Sequence, residues 1–479
     1  MGVLSDLEPK AVFHFFEEIC AIPHGSHHTK AISDYLADFA RKRGLKYRQD
    51  ELNNVIIWKG GTPGYENAPA VMIQGHMDMV AEKEPDCPKD METEGLDLFI
   101  DGDLVGAKGT TLGGDDGIAV AMALAVLDAD DIPHAPLECL FTVDEEVGML
   151  GARGLDTSDL SAKFCLNVDS EEEKVLTVSC AGSTRIVCTL PVSRESFGGT
   201  ACRLTVDGLA GGHSGEEIHK GLANANILMG RALTELMNVT DLRLISVSGG
   251  AKDNAIPRDA SALIAVKDFD KAAEAAAALG EALAVEYRTV DSGVRVTLVP
   301  AEAGSVPMNE DSTRRAAAFL FCAPNGVQMM CAEVSGLVQT SLNMGLVASD
   351  EQSVSARFMV RSSVNSQQAE TTEKVITLTK ILGGTAEIPA SYSAWQYRPD
   401  SRLRDVMTEA FREVYGEEPK IAALHAGLEC GILSGKMPEL DCVSFGPDLT
   451  QIHTPRERLH IASTERTWKL TLETLKRLK

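Results

Sequence analysis

The sequence predicts an α/β domain assembled from both ends of the chain, with an α+β domain inserted between them. Three observations carry this. Up to about residue 184, short apolar runs alternate with helical ones, the pattern of a mixed sheet flanked by helices. Near Arg185 the texture changes to longer strand-like segments alternating with Ala-rich helices. From about residue 391 the first texture returns. The expected division is 1–184 and 391–479 for the outer domain and 185–390 for the insert.

In order along the chain, residues 9–43 place Val12, Phe13, Phe16 and Ile19, then Ile32, Tyr35, Leu36 and Phe39, at helical spacing. Two helices fit, interrupted at the Ile22-Pro23-His24-Gly25 break. Residues 55–58 and 71–73 read as strands, 117–127 as a buried helix, and 137–143 and 164–168 as strands. In the insert, RIVCTL, ACRLTVDGL, ASALIAVKDF, VRVTLV and SVSARFMVRSS read as strands. KAAEAAAALGEALAVEY and STRRAAAFLF read as helices. Two halves of the insert look alike: one runs through Asn254-Ala255-Ile256-Pro257 and a strand to Lys267, the other through Asn343-Met344-Gly345-Leu346 and a strand to Arg361. The last part gives a helix over 403–415, a strand KIAAL, the segment His425-Ala426-Gly427-Leu428-Glu429, a strand DCVSFG, a loop and a final helix.

Composition narrows the function. The 479 residues carry 45 Lys+Arg against 70 Asp+Glu, a net charge of −25. Such a chain repels phosphate backbones, so neither nucleic acid nor an anionic membrane surface is an expected partner. Aromatic residues are only 5%, too few for a base-stacking surface. The 11 cysteines show no CxxC spacing, the first ten residues lack an apolar signal core, and no run of about 18 apolar residues occurs. The expectation is a cytoplasmic protein with reduced thiols.

Acidic residues and histidines recur where the outer domain's strands should end. His76 and Asp78 follow a strand, and residues two apart in an extended chain face the same side. Asp115 and Asp116 follow two glycines and open the buried helix; one would serve as a cap, two exceed what capping needs. Asp144, Glu145 and Glu146 follow an apolar strand, where three adjacent carboxylates repel unless solvated or met by a cation. Asp169 follows another strand, and His453 sits in a loop near the end. Each alone is ordinary surface chemistry. Together they are two His and several carboxylates, gathered where open α/β sheets bind ligands. A mixed His/carboxylate set suits Zn²⁺ or Mn²⁺ better than Ca²⁺ or Mg²⁺.

At this point the chain resembles the co-catalytic di-zinc metallopeptidases of the aminoacylase/carboxypeptidase G group, and within them the aminoacyl-histidine dipeptidases. AIPHGS, DELNNVIIWK, GHMDMV, GTTLGGDDGIA, DEEVGMLGA, NVDSE, GGHSG, NAIPR, HAGLECG and IHTPRERL fall in family order over essentially the whole length. The resemblance implies a zinc-peptidase-like catalytic domain with an inserted α+β lid, and two Zn²⁺ per chain, with Mn²⁺ or Co²⁺ as substitutes. It implies that His76 and Asp169 hold one ion, Glu146 and His453 the other, and that Asp115 bridges them. It further implies that Asp78 orients His76 and that Glu145 is the general base acting on the attacking water. Asp116 departs from the family, where Asn is familiar.

For the lid, the resemblance implies that His213 stabilises the oxyanion and Asn254 contacts substrate. The carboxylate-binding Arg has two candidate places, Lys267 and Arg361; Arg361 is preferred because a guanidinium grips a carboxylate through two bonds. Gly427 offers a backbone donor, while His425 and Glu429 receive no role. The implied activity is hydrolysis of short peptides with a free C-terminus, preferring Xaa-His, including β-alanyl-histidine (carnosine). An N-acyl-amino-acid deacylase, a non-catalytic peptide-binding protein and a two-metal phosphoesterase are the rivals. The partner is a small peptide. A homodimer is one expected state; a single chain whose duplicated lid stands in for that dimer is the other.

Overall fold

A computed structural model describes residues 2–332 and 336–479. The chain packs as two compact units. The first holds residues up to Ser179 together with Tyr397–Ala423 and Leu428–Lys479; the second holds Cys180–Gln396 and the short segment Leu424–Gly427. Gly427, expected in the outer domain's last segment, therefore belongs with the second unit.

The first unit is a mixed eight-stranded sheet flanked by helices. Its strands lie in the order Lys46–Gln49, Val55–Lys59, Leu137–Thr142, Val71–His76, Phe164–Asn167, Asp441–Ser444, Val175–Cys180, Lys420–Leu424. Val71–His76 runs parallel to both neighbours, and Asp441–Ser444 runs parallel to Phe164–Asn167. These four central strands are buried along their whole lengths. Parallel strands covered on both faces read as continuous apolar runs, which made them visible in the sequence. The helix Gly114–Asp128 is buried on every side from Gly117 to Leu127. Lys10–Cys20 and Lys30–Lys42 bring Phe13, Phe16, Ile19, Ile32 and Leu36 into the same core. Truncating a fully buried Phe such as Phe16 costs about 3–5 kcal/mol. A small sheet of Leu449–Thr450, Arg458–His460, Leu104–Ala107 and Leu98–Asp101 was not foreseen. Its strands span two to four residues, too short to show a period.

The second unit is an antiparallel sheet with a doubled βαββαβ topology. One half is Thr200–Asp207, helix Ala225–Val239, Leu242–Gly249, Ala260–Val266, helix Phe269–Glu286 and Arg295–Pro300. The other is Gly182–Pro191, helix Glu310–Cys322, Val338–Ser349, Ser353–Ser362, helix Asn365–Ile381 and Thr385–Tyr392. In each half the strands lie in the order fourth, first, third, second, and the two second strands meet at Ser248–Ala348 and Gly249–Val347. Asn254 and Asn343 are not equivalent positions within this repeat. Asn343 lies inside its strand, and its amide donates to the carbonyls of Asp253 and Ala255 on either side of Asn254.

Candidate metal centre and active site

Three parallel strands of the first unit deliver their C-terminal ends to one edge. Val71–His76 ends in His76, Leu137–Thr142 runs on into Asp144, Glu145 and Glu146, and Phe164–Asn167 runs on to Asp169. The buried helix adds Asp115 from its first turn, where Asp115 and Asp116 depart from helical geometry. Gly113, just before it, has φ 65°, and a Cβ there would sit 2.8 Å from the Met79 sulfur. Glycine is therefore required at this turn.

These ends converge. The two oxygens of Asp115 face different imidazoles: Oδ1 lies 3.1 Å from His76 Nε2 and Oδ2 lies 3.1 Å from His453 Nε2. Glu146 Oε1 is 2.9 Å from His453 Nε2, and Asp169 Oδ1 is 3.8 Å from His76 Nε2. Two sets of donor atoms lie mutually within 4.8 Å, His76/Asp115/Glu146 and His76/Asp116/Asp169. The second includes Asp116, to which the family resemblance gives no ligand role. Asp169 Oδ2 is buried without a hydrogen-bond partner among the described residues. Buried carboxylate oxygens left unpaired are costly, and a cation relieves that cost. Two imidazoles among carboxylates make a donor set that fits a divalent transition metal.

The electrostatics point the same way. Burial opposes a charge on His76, yet the Asp115 and Asp78 carboxylates hold its imidazole well above the ordinary value. Asp115 and Glu146 raise His453 to about 10. Burial, with neighbouring carboxylates, pushes Asp116 and Asp169 well above the usual carboxylate range. Both shifts reflect closely packed negative charge of the kind a bound cation would offset. Burial also raises Glu145 to about 8, with Glu429 and Glu146 adding to the effect and His76 opposing it.

The supports are specific. His76 Nδ1 bonds to the main-chain carbonyl of Asp78 at 2.9 Å, closer than the Asp78 carboxylate at 3.5 Å. That carboxylate also accepts from the Glu145 N–H at 3.0 Å and from Ser26 Oγ at 2.8 Å. Asp78 thus fixes the chain that carries Glu145. Glu457 went unnoticed in the sequence. It is buried, and its carboxylate accepts the N–H groups of Leu112, Gly113, Gly114 and Asp115 at 2.8–3.3 Å. It sits four residues after His453, so one side chain ties the His453 loop to the Asp115 turn. The only trace of it was a Glu within IHTPRERL.

In the second unit, His213 ends the strand Gly212–His213, which pairs with Ala255–Ile256, and the Asn254 carbonyl accepts the Ser214 N–H at 2.9 Å. A Cβ on Gly215 would lie 2.6 Å from the His425 carbonyl, 3.1 Å from His213 Cε1 and 3.2 Å from Arg361 Nε. His213, Asn254, Arg361 and the segment ending in Gly427 are therefore neighbours in this unit. Arg361 is 7% exposed. Burial and the Arg361 charge lower His213 and push His425 to about 3, so both imidazoles are neutral near pH 7. Lys267, the other carboxylate-binding candidate, lies 4.8 Å from the Phe197 ring centroid instead.

Comparison with known proteins gives the family. The model of peptidase family M20/M25/M40 matches residues 72–477. The chain belongs to this peptidase family. It is 37% identical to the cytosol non-specific dipeptidase of Escherichia coli (strain K12), over all of this chain and 99% of that protein. The solved structure of aminoacylhistidine dipeptidase from Vibrio alginolyticus superposes with a TM-score of 0.93 at 36% identity, covering 99% of this chain and 98% of that one. Aminopeptidase PepT from Bacillus cereus, at 15% identity and a TM-score of 0.55, shares the fold. The mixed catalytic-type sheet and the inserted α+β unit of this peptidase are those of the family.

Proposed function

We propose that this peptidase is a dinuclear-zinc dipeptidase that cleaves short peptides with a free C-terminus and prefers Xaa-His, including β-alanyl-histidine. The observation that carries the reading is Asp115, whose two oxygens each face one imidazole beside Glu145. Two full-length relatives named as dipeptidases support the substrate class. The histidine preference leans on the Vibrio relative's name; the Escherichia coli relative is named non-specific.

In this reading His76 and Asp169 would hold one ion and Glu146 and His453 the other, with Asp115 available to both. Bound there, the two ions supply Lewis acidity for the scissile carbonyl and make water acidic enough to attack near neutral pH. Glu145 takes the proton from that water and passes it to the leaving amine; a buried carboxyl of raised proton affinity suits a group that must accept and then return a proton. Asp78 holds the Glu145 main chain in place. His213, neutral and carrying a donor N–H, stabilises the oxyanion, and Asn254 contacts substrate. Arg361 receives the substrate carboxylate, with the Gly427 N–H as a second donor. A cytoplasmic location follows the name of the Escherichia coli relative, and among the described residues no helix is long and apolar enough to cross a membrane. A homodimer is the proposed assembly.

The test is product analysis on a panel of dipeptides, dipeptide amides and N-acyl amino acids. Release of free amino acids from dipeptides, fastest from Xaa-His, is expected. Cleavage confined to N-acyl amino acids assigns a deacylase instead, and no cleavage of any of them overturns the reading.

A further inference from the structure

Beneath the candidate metal centre runs a buried hydrogen-bond chain that no role above uses. Glu429, at the start of the helix Glu429–Lys436, is fully buried. Its Oε2 accepts from Gln74 Nε2 at 2.6 Å and from Thr142 Oγ1 at 2.5 Å. Gln74 in turn accepts from Asn167 Nδ2 through its Oε1 at 2.6 Å. Gln74, Thr142 and Asn167 are themselves 0–1% exposed. They belong to the three adjacent parallel strands that carry the metal donors: Gln74 precedes His76 by two residues, Asn167 precedes Asp169 by two, and Thr142 precedes Glu145 by three.

We propose that Glu429 is a positioning residue for hydrolysis, clamping through this chain the strand ends that present His76, Glu145, Glu146 and Asp169. The inference rests on the dinuclear reading above. Direction matters here. Gln74 turns its amide N–H toward Glu429 Oε2, which leaves its carbonyl oxygen to accept from Asn167. One acidic side chain on a helix thereby fixes the rotamers of two amides and a hydroxyl on three strands. In a strand, residues two apart share a face, so a shift at Gln74 or Asn167 is passed to His76 or Asp169. Supports of this kind behind metal donors typically change affinity or activity about 10–100-fold when removed.

The test compares Glu429→Leu, Glu429→Gln and Thr142→Val with the wild-type chain. The readouts are zinc affinity by competition with a chromophoric chelator, kcat and KM on a dipeptide, and folding by far-UV circular dichroism. Leu keeps the bulk and removes the acceptor; Gln keeps an acceptor oxygen for both donors. Glu429→Leu should lower zinc affinity and kcat about 10–100-fold with KM unchanged, and Glu429→Gln should restore most of both. Thr142→Val, which removes one donor at nearly constant volume, should move affinity and kcat the same way by less. A folded Glu429→Leu protein with wild-type zinc affinity and kcat overturns the proposal, as does a Glu429→Gln protein no better than Leu. Should Glu429→Leu fail to fold, an unchanged Thr142→Val protein overturns it. If the wild-type chain itself takes up no zinc, it is the dinuclear reading that has failed.

Discussion

Glu145 and Glu146 are adjacent carboxylates with different surroundings. Glu146 faces His453 at 2.9 Å, while the Glu145 main chain is held by Asp78 and its carboxyl is lifted by burial. Glu145→Gln keeps the shape and removes the base, so kcat should fall by at least about 10²-fold with metal content unchanged. Glu146→Gln replaces a charged donor by a neutral one, so metal content should fall first and activity with it. Metal analysis beside turnover checks both; the opposite assignment of losses would exchange the two roles. At this scale the sequence was informative for donors, because carboxylates and histidines at strand ends are visible as spacing. It was silent on Glu457, since a carboxylate that binds main-chain N–H groups 342–345 residues away leaves no local pattern. The second task of Asp78 was equally hidden: its carboxylate, 3.5 Å from His76 Nδ1, also accepts the Glu145 N–H.

Among the elements, the Asp115 turn depends on a partner from the far end of the chain. The Glu457 carboxylate collects four N–H groups at the start of the helix Gly114–Asp128, where unpaired donors and the helix dipole both favour an anion. Glu457→Gln turns donors toward donors. It should lower the melting temperature, the loss of hydrogen bonds to a charged group being worth about 1.5–3 kcal/mol, and weaken metal binding through Asp115 and His453 together. Calorimetry with and without zinc checks this; an unchanged metal affinity would confine Glu457 to stability. The buried strands and the Gly114–Asp128 helix were legible as apolar runs of the right length. The strand Gly212–His213 and the small sheet beside His453 were not, because strands of two to four residues have no periodicity to read.

For the whole molecule, the change of texture near Arg185 and its reversal near residue 391 made the two-part chain visible from composition alone. The four residues Leu424–Gly427, which pack with the second unit, were not visible, since a four-residue excursion has no texture of its own. The repeat was legible only as a faint likeness; its real content is a strand order shared by both halves, which topology carries and sequence does not. His213 belongs to the second unit and the metal donors to the first. If His213 stabilises the oxyanion, His213→Ala should lower kcat about 10²–10³-fold while leaving metal content intact. Turnover near wild type would return His213 to an ordinary turn residue.

The central claim is that the chain works as a two-metal hydrolase built on Asp115. Its most direct measurement is zinc stoichiometry by mass spectrometry of chelated protein, titrated back with Zn²⁺ while dipeptide hydrolysis is followed. The account predicts two ions per chain, activity that returns as the second binds, and an Asp115→Asn variant that loses the pair. Full activity in metal-free protein, or saturation at one ion with Asp115→Asn unaffected, would contradict it.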